Sequence, residues 1–170
     1  MLVKNGKIVE DAFTAVADGD PLPDGAVLVS LKRFQAESPA LLARGAPLGV
    51  RLESADTPEI LGEDLRSLAL VVLHVNHFRD GRAFSWARLL RTRLGYRGEV
   101  RISGHVLLDQ IAFYARVGAD AFELPLNQPA EAVRAAFTEI SNVYQPSVDG
   151  RPTIRDLRAA RFPKTTLAPS

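Results

Sequence analysis

Two hydrophobic rhythms alternate along this chain. Short segments that read as strands occur at 26–30, 48–52, 69–75, 99–104 and 121–124, of which 69–75 is nearly all apolar. Between them, apolar residues recur at helical spacing, as in Trp86, Leu89, Leu90 and Leu94 or Val106, Leu107, Ile111, Tyr114 and Ala115. The pattern predicts helices over 34–44, 58–66, 85–94, 105–117 and 129–143. Gly45, Gly95 and Gly118 stand where helices stop, and Pro58 and Pro129 where they start. Ser85 is the expected N-cap of the helix that follows the 69–75 strand. At the N-terminus, Leu2-Val3-Lys4 and Lys7-Ile8-Val9 flank Asn5-Gly6, the signature of a tight hairpin. The breaker-rich stretch 18–25 reads as a loop.

Strands alternating with helices over short connections predict a parallel sheet with right-handed crossovers. The expected fold is a single α/β domain. It has a mostly parallel sheet from about five β-α units, as an open sheet or a partial barrel, and an N-terminal β-hairpin. The length of 170 residues falls short of a complete eight-fold barrel. The domain is expected over 1–146. A basic, proline-containing tail follows over 147–170, with Arg151, Arg155, Arg158, Arg161 and Lys164.

Composition narrows the function classes. The chain has 21 basic and 20 acidic residues, a net charge of +1, so no global field favours nucleic acid or an anionic membrane. It contains no cysteine, which excludes disulfides, thiolate metal ligation and a cysteine nucleophile from this chain. No apolar h-region or spanning stretch is visible, and a cytoplasmic protein is expected.

Candidate chemistry gathers at the expected strand C-terminal ends, where parallel sheets bind ligands. Glu53, Asp56 and Glu123, with His105, are candidates for acid–base work. Arg82 and Ser85, at the start of a helix, are candidates for holding a small anion, since a guanidinium grips oxyanions in a fork; the same residues also read as a turn, a cap and a local ion pair. Arg88, Arg91, Arg155 and Arg158 offer a basic partner surface or simply a solvated face. Asp109 reads as a partner for Arg101 or Arg116. His74, His77 and His105 match no zinc spacing, and no cofactor motif is present.

Three segments carry a family resemblance. They are 80–91 (DGRAFS, then ARLLR), 95–101 (GYRGEVR), and 104–124, with GHVLLDQ and GADAFEL. Over about residues 45–145 the chain resembles the bacterial family DUF934. The resemblance implies a cytoplasmic accessory protein, or an oxidoreductase-associated component, of assimilatory sulfite reduction. Such a protein would bind sulfite reductase or its electron donor, or handle a small sulfur oxyanion. The chain has Val117 where the family often carries a cysteine, and His105 where it often carries an aspartate. Val117 has no thiol chemistry to offer. Two other readings stay open: a small α/β enzyme for a phosphorylated or carboxylated metabolite, and a homo-oligomeric interaction module.

Overall fold

The computed structural model describes residues 1–162. The strands are β1 (Leu2–Lys4), β2 (Lys7–Val9), β3 (Thr14–Ala15), β4 (Val27–Ser30), β5 (Leu48–Leu52), β6 (Leu70–Val75), β7 (Glu99–Gly104) and β8 (Ala121–Glu123). The helices are α1 (Leu31–Ala43), α2 (Arg82–Thr92), α3 (Leu108–Arg116), α4 (Ala130–Thr138) and α5 (Ile154–Arg161). A 3₁₀ segment, Pro58–Ser67, joins β5 to β6 and kinks at Gly62, which sits at φ 53°. The strands form one eight-stranded sheet in the order β2-β1-β8-β7-β6-β5-β4-β3.

From β3 to β8 every neighbour is the next strand in sequence and every pairing is parallel. The expectation of a mostly parallel sheet needs one correction, because the sheet is mixed. The N-terminal hairpin does not stand apart: β1 runs antiparallel along the free edge of β8. Its turn is as the sequence predicts, with Asn5 at φ 50° and Gly6 at φ 76°. Strand β3, only two residues long, is too short to leave a periodic signal.

A sequential parallel order has no reversal point, so right-handed crossovers put all the connecting helices on one face. That face holds the main core. Val29, Val50, Leu73, Ile102 and Phe122 meet Phe34, Leu41, Ala87, Leu90, Ile111 and Tyr114 there. The alternate strand residues, among them Leu28, Arg51, Val72, His74, Arg101 and Ser103, lie on the other, helix-free face.

The sheet curls into a half-barrel, and chain length shows why. Strands β2 and β3 occupy opposite edges, yet only residues 10–13 connect them. Laid flat, eight strands at the usual spacing would hold those edges about 34 Å apart. The link from Val9 to Thr14 spans at most about 18 Å when extended. The sheet must therefore bend until its edges come within reach. Residues 10–13 form a strap across the helix-free face, and Asp11 of the strap meets Arg101 of the central strand β7.

Helix starts differ from the expected positions by a few residues. Helix α1 begins at Leu31, because the Ser30 hydroxyl accepts the Arg33 amide at 3.0 Å. Helix α2 begins at Arg82, with Gly81 at its cap position, so Ser85 lies inside the helix and caps nothing. Helix α4 stops at Thr138, and residues beyond it fold back on α3. There Arg116 pairs with Asp149 at 3.1 Å and Arg151 donates to the Ile140 and Ser141 carbonyls. Part of the basic tail thus lies against the domain, and α5 follows it. Lys164 lies outside the described residues.

Candidate functional site

The helix-free face is the most polar part of the sheet interior. Its centre is Arg101, with 1% of its side chain exposed. Arg101 donates to both carboxylate oxygens of Asp11 at 2.6 and 3.1 Å, to Glu99 at 3.0 Å and to Glu123 at 3.2 Å. The Phe13 ring lies 5.9 Å from its guanidinium carbon. Lys4 adds a second cation on Glu99 at 2.7 Å. Burial, the largest single influence, works to raise the Asp11 pKa, but the hydrogen bond from Arg101, the Phe13 amide and the Arg101 charge together hold the carboxyl below its usual range. This cluster pins the strap to the sheet.

One layer further along, His74 of β6 pairs in register with Ser103 of β7, with Glu53 directly after β5 and Glu123 at the end of β8 on either side. His74 Nδ1 and the buried Ser103 hydroxyl are 3.0 Å apart and hydrogen-bonded. Burial, and then the positive charge of Arg51, lower the His74 pKa below its ordinary value. The imidazole is therefore neutral at pH 7, with proton-accepting capacity beside a hydroxyl. Gly104, at φ 86°, makes room for it: a Cβ there would meet the Val75 carbonyl oxygen and lie 2.8 Å from His74 Cε1.

The residues singled out from sequence are only partly brought together. Glu53 and Glu123 lie at the two ends of the row, with β6 and β7 between them. Glu53 accepts from Arg51 at 3.0 Å, and its own amide donates to Asp56 at 2.9 Å. His105 is exposed on the rim, with Nδ1 2.9 Å from the Asn76 carbonyl. Arg82 does not face an empty site: its Nε and Nη2 donate to Asp80 at 2.9 and 2.7 Å. Those side-chain bonds, and then the Arg82 amide, hold the Asp80 carboxyl far below the usual carboxylate range.

Five carboxylates on this face and its rim (Asp11, Glu53, Asp56, Glu99 and Glu123) meet three cations, Lys4, Arg51 and Arg101. That balance gives no attraction for a free oxyanion.

Arg91, expected on a partner surface, points inward instead. It donates to the Gly118, Tyr96 and Gly98 carbonyls at 3.0, 2.8 and 2.8 Å and pairs with Asp120. Asp120 also accepts the Val100 amide, and the Tyr96 hydroxyl donates to the Leu68 carbonyl. Much of the motif at 95–101 and 118–120 is therefore a structural lock between α2 and the N-terminal ends of the strands. Asp109 pairs with neither expected arginine: Arg101 takes Asp11, Glu99 and Glu123, and Arg116 takes Asp149. Arg88, Arg155 and Arg158 are exposed. Reading the residues one by one missed Asp11, the role of Arg101 at the centre of an acidic cluster, and the Ser103–His74 pair. Their signal was alternation: residues 51 and 53, 72 and 74, and 101 and 103 fall on one face in neighbouring strands.

Among the described residues no group of three or more His, Asp or Glu is placed to hold a metal ion, and no helix is long and apolar enough to cross a membrane. The model of the family described as a bacterial protein of unknown function (DUF934) matches residues 49–154. No curated protein matches the chain.

Proposed function

The chain belongs to the DUF934 family, and we propose on that footing that it is a cytoplasmic accessory protein of sulfite reduction. It docks on sulfite reductase or on the reductase's electron donor through helix α5. The observation that carries this reading is the state of α5. None of its residues is buried, yet it is amphipathic, with Leu157 47% exposed and the following Phe162 70% exposed. Arg155, Arg158 and Arg161 lie along it, and its N-terminus is fixed by a capping box between Thr153 and Asp156. Eight residues make a marginal helix in water, and an apolar side left bare gains stability only against a partner. The partner surface that suits it is an apolar groove with an acidic rim.

Arg88 supports the same reading from a second place. It borders a groove with Phe84, Phe113 and Pro146, and Phe113 is 52% exposed. The alternative of binding a small sulfur oxyanion at Arg82 draws less support, because Asp80 already neutralises that guanidinium.

Deleting this protein from its host is expected to abolish growth on sulfate as sole sulfur source, with growth on a reduced source intact. Re-expression of the full chain restores growth, and a version ending at Thr153 does not. Normal growth of the deletion strain on sulfate would refute the proposal.

A further inference from the structure

A cavity lies away from both α5 and the Arg101 cluster. It has a volume of about 730 Å³, within the range of small-molecule sites. Three parallel strands, β3, β4 and β5, end on it, and the first turn of α1 and the loops after β3 and β5 close it. This is the carboxyl-end position at which α/β sheets bind ligands.

Its lining divides by chemistry. The floor is apolar, from Val16, Leu28 and Leu31. On the rim, Arg51 uses only its Nε on Glu53, so its two terminal nitrogens have no partner among the described residues. The Lys32 and Gln35 side chains likewise make no hydrogen bond or ion pair among the described residues, and both are exposed. Opposite in charge stand Glu53, Asp56 and Asp18. Each has one carboxylate oxygen in use, by Arg51, the Glu53 amide and the Ser30 hydroxyl respectively, and one oxygen open. A simple anion entering this cavity meets three carboxylates, and a simple cation meets two basic groups. A molecule carrying both charges on a small apolar body satisfies both sets.

We propose that this cavity binds a free α-amino acid with an apolar side chain. Arg51 and Lys32 receive its carboxylate, Glu53 and Asp56 receive its ammonium, and Val16 and Leu28 take its side chain. The assignment does not depend on the docking role of α5.

Isothermal titration of the full chain with the common L-amino acids tests it, with sulfite and inorganic phosphate as anion probes. At least one apolar amino acid is expected to bind with Kd below about 1 mM. Arg51→Gln and Glu53→Gln should each weaken that binding about tenfold or more, the loss of one charge-assisted contact. Val16→Trp, which fills the floor, should abolish it. Amide shift mapping on the unaltered protein gives an answer free of any folding defect, with changes expected at Ala17, Gln35 and Asp56. The proposal falls if no amino acid binds at about ten times that concentration. It falls equally if only sulfite or phosphate binds, if binding survives all three substitutions, or if the shifts map elsewhere.

Discussion

Arg101 is a buried cation whose positive charge is met from three directions, by the strap, by its own strand and by β8. Removing one side of such a buried arrangement leaves the other uncompensated. Arg101→Met should therefore cost about 3 kcal/mol or more in urea unfolding, with Glu99 left to Lys4 alone. Asp11→Asn should cost only about 1 kcal/mol, because the Asp11 side chain is 39% exposed and two other carboxylates stay on Arg101. Equal losses from the two substitutions would contradict this picture. His74 makes a prediction about pH. Its folded pKa is depressed by burial and by Arg51, so the unfolded chain binds the proton more readily. Stability should fall as pH drops below about 6.5, and not as pH rises through that value. In an NMR titration the His74 ring midpoint should lie below that of a free histidine, and Arg51→Gln should raise it. Residue chemistry of this kind was partly legible in the sequence. Glu53, Glu123 and the histidines were visible as candidates, but the distant pairings were not. Asp11 and Arg101 are separated by 90 positions, and nothing local in either segment announces the contact.

At the scale of elements, local signals worked where local physics decides. Asn5-Gly6 forms its turn, and β6 is apolar because it is buried on both faces. Helix ends were harder to read, since tertiary packing moves them. Ser85 was a chemically reasonable cap, but the helix begins three residues earlier, at Arg82. Arg91 looked like surface charge because arginine usually is; its long stem carries the guanidinium inward to carbonyls that only the fold assembles. Helix α5 is the opposite case, an amphipathic segment with no buried residue among those described. Ending the chain at Thr153 should leave the thermal midpoint within about 2 °C of the full chain, since none of the described side chains it removes is buried. A large drop in scanning calorimetry would show that α5 supports the domain and is not held out for a partner. Gly104→Ala should behave differently, losing about 2 kcal/mol because a side chain at that φ meets the Val75 carbonyl.

For the whole molecule, the sequence carried the alternation of strands and helices but not the fate of the hairpin. Whether β1 stands apart or extends the sheet depends on the free edge of β8, a feature of the assembled fold. The four-residue strap then forces the curl and crosses the helix-free face, where Asp11 meets the buried Arg101. The arginines of α5 are exposed, and the proposed docking role rests on them. Co-purification from cells growing on sulfate tests that account most directly, with full-length tagged protein compared against the version ending at Thr153 and a Leu157→Asp variant. The account predicts capture of sulfite reductase or its electron donor by the full chain, and loss of that capture in both altered forms with the fold intact. Full-length protein that brings down neither component, or altered forms that still bring them down, would contradict it.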